Sequence, residues 1–250
     1  MLTPETSSHV RIFDDVGNVA EAAANGFIAV ARAAIAERGR FTVALAGGST
    51  PKRAYELLAS EDYKSQIDWL KVHIFFGDER SVPPDDAESN YRMANEALLA
   101  RFALPPENIH RINGVGDAVA NARLYEDEMR TYFNDALWPR LDLVLLGMGD
   151  DGHTASLFPG SEVLNEREAW VAANWVAKFG AYRITLTATA INHAAHILFL
   201  VTGESKAERL REALEGDHDP VRLPAQLIKP VDGSLEWFID KAASTRLSSN

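Results

Sequence analysis

The feature that most constrains this fold is an apolar segment that runs directly into a glycine-rich turn. Residues 143–146 read LVLL, which is typical of a strand buried on both faces. The next six residues, 147–152, read GMGDDG, and their glycines allow a sharp turn with accessible backbone N–H groups. Asp150, Asp151 and His153 add titratable groups to this turn. Because open α/β sheets bind ligands at the carboxyl ends of their strands, we predict a ligand site here.

Apolar segments of strand length alternate with amphipathic segments along the chain. The predicted strands cover residues 10–13, 41–46, 72–76, 143–146, 170–177, 182–186, 196–201 and 235–239. The predicted helices cover residues 16–38, 51–59, 89–102, 117–138, 188–194 and 205–214. This alternation predicts an α/β fold in which a mostly parallel sheet carries helices on both faces. No repeat, low-complexity tract or linker interrupts the sequence, so we expect a single domain over residues 1–250.

The charge and the residue content argue against several classes of protein. The formal net charge is −11, whereas a nucleic-acid-binding surface would need a basic face. The absence of cysteine excludes disulfides, thiolate catalysis and zinc–thiolate sites. Residues 1–10 lack the basic and apolar regions of a signal peptide, and no uncharged apolar run approaches ~20 residues. We therefore expect a cytoplasmic protein without a membrane partner.

A second glycine-rich turn, GGSTP at residues 47–51, joins a predicted strand to a predicted helix. Thr50 suits the N-cap position, and the proline after it suits the first helical position. The free N–H groups and the positive dipole end of a helix favour a phosphate, and Ser49 and Thr50 add hydroxyl donors. An ordinary capped turn needs only one of these residues. The two hydroxyls, together with Gly47 and Gly48, therefore favour an anion site.

The segment GDER, residues 77–80, follows the strand predicted at residues 72–76. In a functional interpretation, Arg80 binds an anionic or carbonyl oxygen and Asp78 orients ligand hydroxyls. In the structural alternative, these residues form a surface ion-pair loop of little consequence. The position at the carboxyl end of a strand favours the functional interpretation. The residue types favour the structural alternative, and the two arguments are about equally strong.

The turn at residues 147–152 also matches the dinucleotide-binding pattern G-x-G-x-x-G. We reject a dinucleotide site because Asp150 and Asp151 would face a pyrophosphate with two like charges. In addition, Pro159 limits the short helix predicted at residues 154–158 to less than two turns.

His153 is interpreted as a general base with an orienting carboxylate, because acids and glycines surround it, rather than as a packing histidine. A metal site is not expected, since no second histidine lies at ligand spacing. Arg183 and Lys206 lie at predicted strand ends or helix starts, where loops of a parallel sheet converge. Each could be a solvated surface charge, and both are candidate phosphate ligands.

Four segments together resemble the 6-phosphogluconolactonase family along nearly the whole chain. They are ALAGGSTP, FFGDERSVPPDDAESNYRMA, DLVLLGMGDDGHTASLFPG and RITLTATAINHAAHILFLVTGESKA. The family shares its fold with glucosamine-6-phosphate deaminases and ribose-5-phosphate isomerases. The resemblance therefore implies a Rossmann-like parallel sheet with an added smaller α/β portion. It also implies hydrolysis of 6-phospho-D-glucono-1,5-lactone to 6-phosphogluconate, the second step of the oxidative pentose phosphate pathway.

The resemblance further implies a small sugar phosphate as the partner and no required cofactor. The sequence does not fix the oligomeric state, and we expect a monomer or weak homo-oligomer. The substrate-phosphate loop of the family falls on Gly47, Gly48, Ser49 and Thr50. Arg183 and Lys206 fall on later basic positions of the family that are candidates for phosphate contact.

The active-site positions of the family fall on Arg80 and His153, with His153 as the base. Asp78 and Asp151 match acidic positions that the family shares with the deaminases. Deaminases of this fold continue from the shared histidine through Ala-Phe-Asn-Glu-Pro, and the glutamate helps to open the amino sugar ring. Phe158 stands at that place here, and an apolar side chain cannot transfer the proton. The resemblance therefore favours the lactonase.

The predicted mechanism follows from the needs of lactone hydrolysis. Neutral His153 would take a proton from the water that attacks C1 while Asp151 holds the imidazole tautomer. The oxyanion would meet glycine-loop N–H groups or Arg80, and His153 would return the proton to the ring oxygen. Three alternatives remain at this stage: an isomerase or deaminase of the same fold, a catalytically silent sugar-phosphate sensor, and a metal-dependent hydrolase.

Overall fold

The larger of two sheets carries the core of the fold. The computed structural model describes residues 9–134 and 136–248; residues 1–8, where no leader was expected, lie outside this description. Six parallel strands form the larger sheet in the order β1-β9-β8-β5-β2-β3. They are β1 (His9–Phe13), β2 (Phe41–Leu45), β3 (Val72–Phe76), β5 (Leu143–Leu146), β8 (His196–Val201) and β9 (Ser234–Asp240). The predicted α/β class with a mostly parallel sheet is confirmed.

A smaller antiparallel sheet has the strand order β4-β7-β6. Its strands are β4 (Asp78–Arg80), β6 (Val171–Val176) and β7 (Ala181–Leu186). The two sheets meet at Gly77, whose N–H donates to the carbonyl of Leu45 in β2 and whose carbonyl accepts from the N–H of Leu186 in β7. One residue therefore joins β3 of the larger sheet to β4 of the smaller sheet.

The helices connect and cover the strands. They are α1 (Val16–Arg38), α2 (Ser49–Leu58), α3 (Asn90–Ala97), α4 (Ala118–Tyr132), α5 (Ala188–Asn192), α6 (Ala207–Glu215) and α7 (Lys241–Ser244). Every residue of β2 and β5 is buried, which requires cover on both faces of the sheet.

Helix α1 is long and apolar enough to cross a membrane by length and composition alone. Its apolar residues instead pack against β2 and β9, with Val19, Ala23, Phe27 and Ala31 all nearly fully buried. The helix ends at Gly39, which adopts φ of 74° and donates its N–H to the carbonyl of Ile35, as the sequence predicts for a C-cap. Within this structure, α1 is a core helix.

All eight predicted strands are confirmed to within one residue at each end, whereas several helix predictions need correction. The helix predicted at residues 51–59 begins at Ser49, because Gly48 takes the N-cap position with φ of 104°. Thr50 is therefore not the cap, and its hydroxyl lies 2.7 Å from that of Thr202. The helix predicted at residues 117–138 ends at Tyr132, shortly before Asn134 turns to φ of 53°.

The predicted helix at residues 89–102 is also shorter, and α3 ends at Ala97. The short helix predicted at residues 154–158 is wrong, because this segment forms a turn closed by a bridge between Thr154 and Leu157. Its hydrogen-bonding groups are used elsewhere: the N–H of Ser156 donates to the hydroxyl of Thr185, at 3.2 Å. Tertiary contacts therefore replace the local bonds that a helix needs.

Candidate functional site

A cavity of about 270 Å³ opens at the carboxyl ends of β2, β3, β5 and β8. Most of its lining comes from four separate segments: residues 46–51, 77–78, 145–149 and 200–202. Arg80, Asn90, His153, Ala155 and Lys206 complete the lining. The two glycine-rich turns that the sequence indicated thus face one space, at the edge of the sheet where α/β proteins bind ligands. We call this space the strand-end cavity.

The amino end of α2 forms one wall of the strand-end cavity. No side chain caps this helix, so Gly48 and the first helical residues offer N–H groups to a ligand. Ser49 is exposed, while the buried Thr50 shares a hydroxyl contact of 2.7 Å with Thr202. These donors and the positive end of the helix dipole suit a phosphate or another small anion.

Gly47 is required by a close approach rather than by its backbone angle. A Cβ atom at this position would lie only 2.0 Å from Oδ1 of Asn90. The amide of Asn90 in turn donates to Oδ1 of Asp78 at 3.1 Å and to the carbonyl of Asp78 at 2.9 Å. Asn90 therefore ties the start of α3 to β4 directly behind the glycine-rich turn at residues 47–51.

Asp78 lies on the cavity wall and is 8% exposed. Its second oxygen accepts a hydrogen bond of 2.6 Å from the hydroxyl of Ser156, so both carboxylate oxygens have protein partners. Asn174 in β6 donates to the carbonyl of Ser156 at 2.9 Å. Asp78 thus organises three segments around the cavity, in addition to any contact with a ligand.

Glu79 points away from the cavity and holds the start of α3. Its carboxylate accepts from the hydroxyl of Ser89 at 3.0 Å and from the N–H groups of Asn90 and Tyr91 at 2.7 and 2.8 Å. Burial raises the pKa of Glu79, although the N–H donors act in the opposite direction. Arg80, the next residue, returns to the cavity wall and donates to the carbonyl of Glu88.

His153 is bonded to Asp151 through its Nδ1 atom. The distance from Nδ1 to Oδ1 of Asp151 is 2.5 Å, and Lys178 approaches the other oxygen at 3.4 Å. Partial burial alone would raise the pKa of Asp151, but the hydrogen bond and charge of His153, with Lys178, outweigh it and lower that pKa. The ionised carboxylate only accepts, so Nδ1 carries the proton and Nε2 is free to act as a base.

Other residues in and around the turn at residues 147–152 complete this arrangement. Gly149 passes so close that a Cβ atom there would lie 2.0 Å from Nδ1 of His153. The ring of Phe158 stacks on the imidazole with a centroid separation of 4.2 Å and an interplanar angle of 23°. Asp150 does not contact His153; it pairs with Lys206 at 2.5 Å. The two adjacent acids therefore serve different basic partners.

The two later basic residues lie in different places. Lys206 lines the strand-end cavity, as do the first residues of α2, which suits a candidate phosphate ligand. Arg183 is 8% exposed and lies in β7, directly opposite Arg80 of β4, and it is not part of the cavity lining. Its guanidinium lies over the ring of Phe179, 5.1 Å from the centroid.

Several residues of the site carry no local signal in the sequence. Thr202, Asn90 and Ser156 reach the cavity or its supporting network through tertiary contacts, and only Thr202 could have been suspected, because it follows a predicted strand. Lys178 and Phe179 belong to the turn between β6 and β7. Within residues 9–134 and 136–248, no group of three or more histidine, aspartate or glutamate side chains is arranged to hold a metal ion.

Comparison with known proteins gives consistent results. A family profile described as glucosamine-6-phosphate isomerases/6-phosphogluconolactonase matches residues 14–237. The chain is 44% identical over 218 residues to 6-phosphogluconolactonase of Nostoc sp., covering 86% of this chain and 88% of that protein. It is 40% identical over 248 residues to a probable chloroplastic 6-phosphogluconolactonase 3 of Oryza sativa, with 95% and 76% covered. The structure of 6-phosphogluconolactonase from Trypanosoma cruzi matches with a TM-score of 0.85 at 29% identity, covering 98% of each chain.

Proposed function

Because the chain belongs to the glucosamine-6-phosphate isomerase/6-phosphogluconolactonase family, we propose that it hydrolyses 6-phospho-D-glucono-1,5-lactone to 6-phosphogluconate. This reaction is a step of the oxidative pentose phosphate pathway. The observation that carries the proposal is the bond between His153 and Asp151, which leaves a ring nitrogen free on the wall of a cavity that the uncapped start of α2 also lines. The cytoplasmic location stays a prediction, since the rice relative is named chloroplastic.

In the proposed mechanism, Nε2 of His153 removes a proton from the water that attacks C1 of the lactone. The proton on Nδ1 stays with the imidazole, and the negative charge of Asp151, 2.5 Å away, stabilises the imidazolium that forms. As the bond from C1 to the ring oxygen breaks, His153 returns the proton to that oxygen. The histidine is then neutral again for the next turnover.

The negative charge that develops on the carbonyl oxygen needs donors that are already in place. Arg80, two residues after Asp78, is a cation on the cavity wall. Gly147 and Gly149 bring backbone N–H groups close to the same space. The N–H of Gly149 donates to the carbonyl of His153, so it is engaged in holding the turn. We therefore assign the oxyanion contact to Arg80.

The substrate phosphate would bind at the start of α2. Ser49, Thr50 and the uncapped N–H groups supply donors there, and Lys206 supplies the positive charge that an overall acidic protein must provide locally. Lys206 would exchange its pairing with Asp150 for the phosphate. Binding at this remote group holds C1 near His153 and lowers the entropic part of the barrier.

The test is hydrolysis of freshly generated 6-phosphogluconolactone, measured against its spontaneous opening and repeated with a chelator. His153→Ala should lower the rate by roughly 10²-fold or more while circular dichroism remains unchanged, as expected for the loss of a general base. His218→Ala, at an exposed histidine outside the cavity, is the matched control and should keep the wild-type rate. Full activity of His153→Ala would refute the assignment of the base.

The same assay separates the alternatives. Glucosamine 6-phosphate offered in parallel should release no ammonia, because Phe158 stacks on His153 where a deaminase of this fold needs a glutamate. Loss of lactone hydrolysis in the chelator would instead indicate a metal-dependent hydrolase. Binding of the phosphosugar without acceleration would indicate a sensor.

A further inference from the structure

Arg183 is a buried cation that forms no ion pair with any residue in the described ranges 9–134 and 136–248. It is 8% exposed, and across the part of the chain that the structure describes its guanidinium makes neither a hydrogen bond nor an ion pair. The guanidinium carbon lies over the ring of Phe179, 5.1 Å from its centroid. Charged side chains are almost never buried to this extent unless they are paired, since the loss of hydration is otherwise uncompensated.

The surroundings of Arg183 make this arrangement more unfavourable in the free protein. Arg80 stands directly opposite in the β4–β7 pairing, and like charges at such positions repel. Burial and the charge of Arg80 lower the pKa of Arg183, against weaker opposing effects of Asp78, Glu88 and Glu79. The carboxylates of Asp78 and Glu79 are hydrogen-bonded to other groups, and neither forms an ion pair with the guanidinium.

Arg80 lines the strand-end cavity, and Arg183, which does not, stands opposite it on the same face of the smaller sheet. Arg80 and Arg183 lie on the smaller sheet, whereas α2 and Lys206 follow strands of the larger sheet. A ligand with one anionic group needs only one of these cationic regions. Two regions on opposite sheets fit a ligand that carries a negative group at each end.

We propose that Arg80 and Arg183 form a second anion subsite, which receives the carboxylate of an open-chain phosphorylated sugar acid. The identity of this ligand rests on the proposed function, because hydrolysis creates such a molecule. Water adds its oxygen to C1, the bond from C1 to the ring oxygen breaks, and the resulting acid loses a proton to become a carboxylate. The paired nitrogens of a guanidinium match the two oxygens of a carboxylate, which a neutral lactone lacks.

The test compares two open-chain ligands of equal length by calorimetry. 6-Phosphogluconate carries a phosphate and a carboxylate, whereas sorbitol 6-phosphate carries the phosphate alone. Arg183→Met should weaken binding of 6-phosphogluconate roughly ten- to a hundredfold, the range for hydrogen bonds to a charged group, and leave sorbitol 6-phosphate unchanged. Arg123→Met, which removes the same charge from an exposed position of α4, should change neither affinity.

Each other outcome overturns the proposal. Equal weakening of both ligands would place the phosphate, not the carboxylate, at Arg183. No weakening of either would leave Arg183 without a ligand. The measurement needs no turnover, so a failure of lactone hydrolysis is recorded separately and would remove the proposed function without deciding the subsite.

Protein stability gives a second readout. Because Arg183 is buried and forms no ion pair with the described residues, ligand-free Arg183→Met should melt at the same temperature as the wild type or higher. Addition of 6-phosphogluconate should raise the melting temperature of this variant less than that of the wild type. A lower melting temperature without ligand would show that Arg183 supports the fold. Arg183→Lys, which keeps the charge but loses the paired nitrogens, should give an intermediate affinity and serves if the methionine variant does not fold.

Discussion

The imidazole of His153 is held from two directions. Asp151 accepts from Nδ1 at 2.5 Å, and the ring of Phe158 stacks on one face at 4.2 Å. The first contact sets which ring nitrogen carries the proton, and the second limits rotation of the ring. Asp150, although adjacent in sequence, is paired with Lys206 and takes no part in this arrangement.

Asp151→Asn should therefore lower kcat far more than Asp150→Asn. An asparagine at position 151 can donate to Nδ1, which would move the imidazole proton to Nε2 and remove the base. We expect kcat to fall by roughly 10²-fold or more, the contribution typical of a general base. Initial rates on fresh lactone measure this, and unchanged circular dichroism shows that both variants fold.

The Asp150→Asn variant is the matched control because it changes the same charge one residue away. Its effect should fall on KM, through the loss of the partner of Lys206. Equal losses of kcat in the two variants would mean that Asp151 does not orient His153.

At the scale of elements, α3 depends on a carboxylate from a neighbouring strand. Glu79 in β4 accepts from Ser89, Asn90 and Tyr91, and it satisfies N–H groups at the start of this short helix. The same helix start presents the Asn90 amide to Asp78. The position of α3 and the shape of the cavity are therefore coupled.

Glu79→Ala should lower the free energy of unfolding by about 2–4 kcal/mol, because it leaves several buried donors without an acceptor. Urea denaturation measures this change. Glu96→Ala, which breaks the exposed pair of Glu96 with Arg92, should leave the free energy of unfolding nearly unchanged, because exposed ion pairs contribute little. A loss at Glu79 as small as that at Glu96 would show that water readily replaces the carboxylate.

The strands of the larger sheet were predictable because each is a mainly apolar segment of strand length. The strand β4 was not predictable, since Asp78, Glu79 and Arg80 show no strand pattern and form a strand only by pairing with β7. Residues 154–158 form a turn rather than the predicted helix for the same reason: the N–H of Ser156 donates to the hydroxyl of Thr185, a residue distant in sequence. Most titratable residues of the cavity, such as Arg80 and His153, could be predicted from the sequence. The roles of Asn90, Ser156 and Thr202 could not, because they depend on contacts between distant segments.

At the scale of the whole molecule, acid should destabilise the fold through His73 as well as through its carboxylates. Burial, with smaller contributions from His110 and Arg40, lowers the pKa of His73 from 6.5 to about 4, and Glu107 opposes this. The unfolded chain therefore binds more protons between these two pH values. The contribution of neutral His73 to the free energy of unfolding is fully present above pH 6.5 and is lost as the pH falls toward 4.

We expect this histidine to account for about 1–2 kcal/mol of the stability lost over that range, a value reduced for the partial exposure of the ring. The measurement is the free energy of unfolding in urea at several pH values between 7.5 and 4.5, chosen to span roughly this window. His73→Phe, which cannot be protonated, should flatten the dependence, and His218→Phe at an exposed position should not. Identical pH profiles for the two variants would exclude His73 as the source.

The single-residue junction at Gly77 has a consequence for how this chain can vary in length. Side chains alternate along β4, so Asp78 and Arg80 reach the cavity while Glu79 reaches α3. One residue inserted or deleted between β3 and β4 would reverse this alternation and exchange the two sets of side chains. The site therefore constrains the number of residues between β3 and Arg80 as strictly as it constrains their identity. Insertions should be tolerated only as pairs of residues or at positions after Arg80.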